Sequence, residues 1–210
     1  MTADTSQGVE HGGLELTRAV RRAPRLIRRA SAWEPGMDPR EMGLQELEQS
    51  EAIRWVDLFA GDLQNGEALA LLGPICHGEL TARMARDLVT PRRFPAGRQY
   101  PGTEVSITAA FRTRHLQGEA TGHQHGVVTS VFEPMHLLIG SNWLLTCWLP
   151  PRVFRGDGAA LDDAVDDGEA LYRAVAEIWS ETEGETADDL AGLVRRELAV
   201  AAGYRLQARS

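Results

Sequence analysis

The chain has 210 residues, of which 43% are hydrophobic and 25% charged, so it has room for one large α/β domain or two small ones. Its formal net charge of −8 excludes a general nucleic-acid binder, because neutralising phosphates requires a basic face. No stretch approaches the roughly 18 uninterrupted apolar residues of a membrane span, and the polar start has no export signal. We therefore expect a soluble, intracellular chain.

The first zone, residues 1–50, is polar and rich in arginine, and we expect part of it to be disordered. Leucine, valine and isoleucine alternate with the basic residues, as in an amphipathic helix that Pro24 would interrupt. Two interpretations are open: contact with anionic lipid or a neighbouring subunit, or an ordinary solvated segment. The basic run consists of Arg18, Arg21, Arg22, Arg25, Arg28 and Arg29.

The second zone, residues 51–150, has the patterns of an α/β sheet core. Alternation of apolar and polar residues predicts strands over 53–58, 105–111, 127–132, 136–139 and 143–148. Spacing by three and four residues predicts helices over 63–72 and 77–89. A loop rich in glycine and histidine separates two of the strands at residues 115–126, and a tight turn is expected at 140–142. Cys76 and Cys147 match no metal or redox spacing, which favours buried thiols in a reducing compartment.

The break at Pro150-Pro151 separates the second zone from the third, residues 151–210, which is an acidic linker and a helical extension of the same domain. Apolar residues recur at helical spacing to Leu198, although Gly184 and Gly192 weaken the case for one unbroken helix. Together the zones predict a layered α/β/α domain with a mixed central sheet, followed by a long acidic C-terminal helix.

Four short passages, in this order, resemble the N-terminal cytoplasmic domain of CorA-type magnesium and divalent-cation transporters, whose relatives include zinc transporters. The resemblance covers residues 52–198. In the passage around Asp87 the chain departs from the family pattern twice, since Arg86 replaces the acid that usually precedes Asp87 and the usual lysine is replaced. The passages are Trp55-Val56-Asp57-Leu58, Ala85-Arg86-Asp87-Leu88 with Pro91 to Phe94 and Tyr100, Leu138 to Thr146, and Glu169-Ala170-Leu171-Tyr172.

The resemblance implies a sheet flanked by helices, a homopentamer with a funnel-shaped cytoplasmic mouth, and a parent protein with two membrane helices and a Gly-Met-Asn pore motif. The stalk, the membrane helices and that motif are not in this sequence. The chain is therefore expected to be a regulatory, metal-sensing domain on the cytoplasmic side of the cell membrane. The alternative is a stand-alone soluble binding or interaction protein with the same fold.

Two sets of residues are candidate metal ligands. Carboxylates near a predicted helix start suit Mg²⁺, but acids also occur there as a solvated, helix-capping face. Histidines across a hairpin suit Zn²⁺ or another divalent cation, but a polar loop would contain them as well. The magnesium candidates are Asp162, Asp163, Asp166 and Asp167, and the zinc-type alternatives are His115, His123 and His125.

No catalytic motif stands out in the sequence, so we do not expect an enzyme. The serine-hydrolase, phosphate-loop and zinc-protease patterns are missing, and neither cysteine matches a catalytic cysteine–histidine pair. Three scattered acids, Asp57, Asp87 and Glu133, are expected to be structural partners of arginines.

Overall fold

The computed structural model describes residues 27–60, 65–90, 97–117, 128–150, 152–155 and 169–207. The strands are β1 (Ile27–Trp33), β2 (Arg40–Glu41), β3 (Ile53–Phe59), β4 (Arg98–Gln99), β5 (Ser106–Gln117), β6 (Val128–Ile139), β7 (Trp143–Trp148) and β8 (Arg152–Arg155). The helices are α1 (Leu44–Glu48), α2 (Asn65–Leu72), α3 (Ala82–Val89), α4 (Glu169–Glu181) and α5 (Ala187–Gln207).

The described strands form one mixed sheet in the order β2-β1-β3-β7-β6-β5-β4, and β8 pairs with the far end of β6. All pairings are antiparallel except that of β3 with β7 at the centre. Helices cover both faces of this sheet, so the predicted layered α/β/α fold with a mixed central sheet is confirmed.

The central strands are buried on both faces, as expected when helices cover both sides of a sheet. Every residue of β7 is buried. Trp143, Leu145 and Cys147 belong to the core beneath α1, α2 and α3, whereas Leu144 and Trp148 belong to the core beneath α4 and α5. The period of two along a strand thus divides the chain into two separate hydrophobic cores.

Both helical layers use apolar positions at helical spacing. In α3, Met84 and Leu88 are buried, and the Thr81 side chain caps the helix by accepting from the Met84 backbone N–H at 3.3 Å. In α4, Leu171, Val175 and Trp179 form the buried stripe. None of the helices in the described residues is both long and apolar enough to cross a bilayer.

The C-terminal helical region contains two helices instead of one. Thr186 and Asp189 form a reciprocal cap at the start of α5, with Asp189 accepting from the Thr186 backbone N–H at 3.0 Å. Gly184 lies in the connection, where a Cβ atom would be 2.8 Å from the Trp179 ring. The connection therefore needs a residue without a side chain to pack against Trp179.

Residues 27–50, which the sequence assigned to the polar N-terminal zone, contribute β1, β2 and α1 to the domain. Trp33 is fully buried in the core under α4 and α5. The prediction missed β1 because its arginines are charged but half-buried, and their aliphatic stems cover apolar surface.

A single long strand, β6, replaces the two strands predicted at 127–132 and 136–139. Pro134 lies inside it, opposite Phe111 of β5. On the other side of β6, the neighbouring strand changes from β7, which ends opposite Met135, to β8, which begins opposite Phe132. Proline is tolerated there because the missing N–H falls at the break between two neighbours.

Candidate functional site

Most residues proposed as metal ligands lie outside the part of the chain that the structure describes. His115 is on β5, opposite Ser130 of β6. Among the described residues, no group of three or more His, Cys, Asp or Glu side chains is placed to hold a metal ion. Both metal sites therefore stay predictions. The candidates outside the described ranges are Asp162, Asp163, Asp166, Asp167, His123 and His125.

A hydrogen-bonded network joins the two parallel strands on the face covered by α4 and α5. The Trp55 indole N–H donates to the Thr146 hydroxyl oxygen at 2.8 Å, and this hydroxyl donates to Asp57 Oδ1. Trp55 and Asp57 are two residues apart on β3, so they share a face, and Thr146 is directly beside Asp57 on β7. All three residues are buried, so the network links β3 to β7 inside the core.

The carboxyl group of this network, that of Asp57, has an altered ionisation. Burial raises its pKa from 3.8 to about 6, and the Thr146 hydroxyl and the Arg28 guanidinium oppose this rise. Its side chain therefore titrates close to neutral pH. Such groups are common at functional sites, although structural networks contain them too.

Trp148 lies beside this network and contacts two guanidinium groups. The Arg112 guanidinium is 4.9 Å from the centre of the Trp148 ring, and that of Arg28 is 5.7 Å away. Arg112 also donates from Nε to Glu133 Oε2 at 2.7 Å, and both side chains are almost completely buried. Two cation–π contacts and an ion pair thus surround one buried indole.

The start of α4 is attached to the sheet through Tyr172 and Arg29. Tyr172 stacks on Trp55, with ring centres 5.5 Å apart, and meets the edge of Trp33 at 5.4 Å. The Arg29 guanidinium lies 3.9 Å from the Tyr172 ring centre and forms an ion pair with Glu169, the first residue of α4. This ion pair lowers the pKa of Glu169.

A second polar cluster, under α3, is built around Asp87. Its carboxylate, only 2% exposed, accepts from the Tyr100 hydroxyl at 2.9 Å and forms an ion pair with Arg98. The Arg98 guanidinium also lies 4.9 Å from the Tyr100 ring centre. The cluster holds α3 against the β4 edge of the sheet. The predicted arginine partners of Asp87 and Glu133 are confirmed, whereas Asp57 hydrogen-bonds to Thr146.

A third cluster surrounds Arg54 at the beginning of β3 and was not predicted. The Arg54 side chain is fully buried, and its two terminal nitrogens hydrogen-bond to His77 Nε2 and Asn142 Oδ1. Beside it, Glu79 accepts from the Trp143 indole N–H at 2.7 Å. A single arginine in an alternating strand gives no signal in sequence, because arginine at such a position is normally solvated.

The clusters hold helices against the sheet and strands against one another. Cys76 and Cys147 are both free and buried, as predicted, and burial raises the pKa of each thiol. Buried thiols with raised pKa values are poor nucleophiles.

No protein-family model matches the sequence, and no curated protein matches it either. Among solved structures, the chain is similar to the structure of the full-length CmaX protein, with a TM-score of 0.50 and 13% sequence identity. The match covers 88% of this chain and 48% of CmaX. The likeness is one of fold, and the chain spans about half the length of CmaX.

Proposed function

We propose that this chain is the cytoplasmic regulatory domain of a CorA-like divalent-cation transporter, and that it responds to the cation without catalysing a reaction. One observation carries the proposal: three of the four passages that resemble the CorA-type family meet in one network. Trp55 of the first donates to Thr146 of the third and stacks on Tyr172 of the fourth. If the four passages resembled the family only by chance, their side chains would not be expected to contact one another.

The remaining passage supports the same conclusion in a different place. Asp87 and Tyr100, which are 13 residues apart in sequence, are joined by a hydrogen bond. Each passage therefore contributes side chains that fix helices or strands to one another. Short motifs of this kind are expected to persist between distant relatives because they determine the fold.

The fold shared with CmaX supports a distant CorA-like relationship. The shared part is about half of CmaX, so this fold occurs within a longer chain. A cytoplasmic domain that is joined to membrane helices must likewise be one part of a longer chain. We infer that the parent protein lies in the cell membrane and assembles as a homo-oligomer, a pentamer by analogy with the family.

The mechanism that we propose is electrostatic. The chain has 30 acidic and 22 basic residues, so copies placed side by side repel one another. Bound Mg²⁺ would neutralise acids facing one another across an interface, hold the copies together and keep the pore closed. Mg²⁺ retains most of its water, so one carboxylate from each copy suffices. Asp162, Asp163, Asp166 and Asp167 are the proposed carboxylates, and Glu169 connects their segment to Arg29.

Zn²⁺ or a similar ion is the alternative cargo, with His115, His123 and His125 as proposed ligands. Two matched variants separate the two metals: one replaces the four aspartates by asparagine, and the other replaces the three histidines by glutamine. The proposal expects Mg²⁺-dependent association to be lost in the first variant only. If instead Zn²⁺-dependent association is lost in the second only, the metal assignment changes while the regulatory role stands.

The first test reads the gene beyond the codon for Ser210. Two apolar stretches of about 20 residues each, with Gly-Met-Asn after the first, are expected. The complete gene product should then change its association state, measured by light scattering, between metal-free buffer and millimolar Mg²⁺. An assembly that forms equally without any divalent cation would contradict the regulatory role and favour a stand-alone binding protein.

A further inference from the structure

A surface groove runs between the β1–β2 hairpin and α1. It has a volume of about 660 Å³ and is open to solvent along one side. Met37 projects from the hairpin with 55% of its surface exposed, and Met42 lies on the groove wall. Methionine side chains adapt to partners of different shape, and they are common on surfaces that bind amphipathic peptides.

The rim of this groove is acidic. Residues 34–52 contain six acids, of which Glu34, Glu46 and Glu51 line the groove. Arg40, the one arginine in this range, pairs with Glu34 at 2.7 Å, and Glu41 pairs with Arg29 at 2.8 Å. Glu46 and Glu51 line the groove and take part in none of the ion pairs formed among the described residues. The six acids are Glu34, Asp38, Glu41, Glu46, Glu48 and Glu51.

The groove continues to the beginning of β1. A second hollow begins at Ile27, the first residue of β1. Its charged lining is mixed, with two arginines, Arg28 and Arg29, and two acids, Glu41 and Glu46, beside the apolar Met42 and Leu44. Met42 and Glu46 line both hollows, so together they form one continuous surface. The chain that precedes Ile27 therefore joins the domain at a hollow of mixed charge that adjoins the acidic, methionine-lined groove.

We propose that this groove binds the basic segment of the same chain, residues 14–25. This segment has four arginines and one acid, Glu15, and it carries Leu14, Leu16 and Val20 between the charges. Its charge is opposite to that of the rim, and its apolar residues suit the methionines. The proposal does not depend on the transporter function. The arginines are Arg18, Arg21, Arg22 and Arg25.

Attachment to β1 favours the same chain over a second copy. A tethered segment has an effective concentration in the millimolar range when its linker spans the distance. The distance from Ile27, where the segment is attached, to the hairpin end of the groove is short, because the seven residues of β1 span about 23 Å at 3.3 Å per residue. The twelve residues 14–25 can extend over about 40 Å.

Cysteine cross-linking of the full chain tests this proposal. Met37→Cys places a thiol on the groove and Val20→Cys places one in the segment, while the native cysteines are buried and should not react. A short bis-maleimide should link the pair within one chain, which gives a faster-migrating monomer band. The control pairs Val20→Cys with Thr103→Cys, an exposed position in the loop after β4, at the opposite edge of the sheet.

The charge dependence of cross-linking is tested by adding Glu46→Gln and Glu51→Gln to the variant that carries Val20→Cys and Met37→Cys. Surface ion pairs contribute about 0.5 kcal/mol each, so losing two should slow cross-linking about fivefold, as should high salt in the parent pair. Glu104→Gln, at an exposed acid near Thr103, is the matched control and should have no effect.

Four results would overturn the proposal. Equal cross-linking to Met37→Cys and Thr103→Cys would mean that the segment has no preferred site. A dimer band alone would assign the groove to a second copy. Cross-linking that ignores both salt and the glutamine substitutions would remove its electrostatic basis. In the fourth result, the segment binds anionic lipid vesicles while Val20→Cys fails to cross-link to Met37→Cys even when no vesicles are present. That result would identify a membrane surface as its partner.

Discussion

Asp57→Asn should remove a pH dependence that the wild-type domain has between about pH 4 and pH 7. Asparagine is nearly the same shape and keeps the Oδ1 acceptor for the Thr146 hydroxyl. It cannot ionise, so the cost of holding a charge at this buried position disappears. The change therefore isolates the electrostatic contribution of one side chain.

The sign and size of this pH dependence follow from the change in the pKa of Asp57 on folding. Burial raises the pKa of Asp57 from 3.8 to about 6, so between these values the folded protein binds more protons than the unfolded chain. Stability must then fall as pH rises through this window, and the stabilisation is fully present only below about pH 4. A rise of about two pKa units corresponds to about 3 kcal/mol.

The assay is urea unfolding followed by tryptophan fluorescence at a series of pH values, since Trp33, Trp55 and Trp179 are buried in the same core. The difference in unfolding free energy between Asp57→Asn and the wild type should become more favourable to the variant by about 3 kcal/mol from pH 4 to pH 7.5. A constant difference over this range would refute the reasoning, whatever its absolute size.

Asp189→Asn is the matched control with the opposite sign. Hydrogen bonds from the Thr186 hydroxyl and from the backbone of Glu185 and Thr186 lower the pKa of this exposed aspartate. Its ionised form therefore stabilises the fold above the ordinary pKa of an aspartate, and that stability is lost as pH falls. The variant should lose stability relative to the wild type at pH 7.5 and recover it at low pH.

Three further substitutions test the packing. Gly140→Ala should destabilise the domain by about 3 kcal/mol or more in thermal or urea unfolding, because its Cβ would lie 2.0 Å from the buried Trp143 ring. Gly192→Ala, in the interior of α5 with nothing within 4 Å of the new atom, should stabilise it by about 0.5–1 kcal/mol. A loss from Gly192→Ala would show that this position contacts something else. Tyr100→Phe should cost about 1–2 kcal/mol, because the buried Asp87 carboxylate loses a hydrogen bond, and an unchanged stability would show that the bond contributes nothing.

The layered fold could be predicted because its main signals are local. The β6–β7 turn at Gly140, the alternating strand from Ile53, and the helix closed by Thr90 before Pro91 each follow from a few neighbouring residues. These elements also appear where they were expected, apart from shifts of a few residues at their ends.

The errors have a common physical origin, which is that tertiary contacts override local patterns. The sequence of β1 gives an arginine-rich pattern, but Arg29 is held by Glu41, Glu169 and Tyr172 from elsewhere in the chain. Pro134 would normally end a strand, yet the change of neighbour along β6 leaves room for it. No short stretch of the sequence contains the information about these contacts between distant residues.

The buried polar clusters follow the same logic. Arg54 meets Asn142 and His77 across separations of 88 and 23 residues, and Trp55 meets Thr146 across 91. The contacts with Asn142 and Thr146 could be named only once the parallel pairing of β3 with β7 was known. A parallel pair requires a long crossover, so its cross-strand contacts are always distant in sequence.

The contacts made by the residues that match the family also determine which conclusions about function the family resemblance can support. The matching residues Trp55, Asp57 and Thr146 are buried, and with the half-buried Tyr172 they hold β3, β7 and α4 together, so their presence is explained by the fold that they stabilise. A response to a cation requires carboxylates or imidazoles that water and ions can reach. The decisive comparison is therefore between variants of the network and variants of the acidic segment. Thr146→Val should lower stability without altering cation dependence, whereas replacing Asp162 and its neighbours by asparagine should do the reverse.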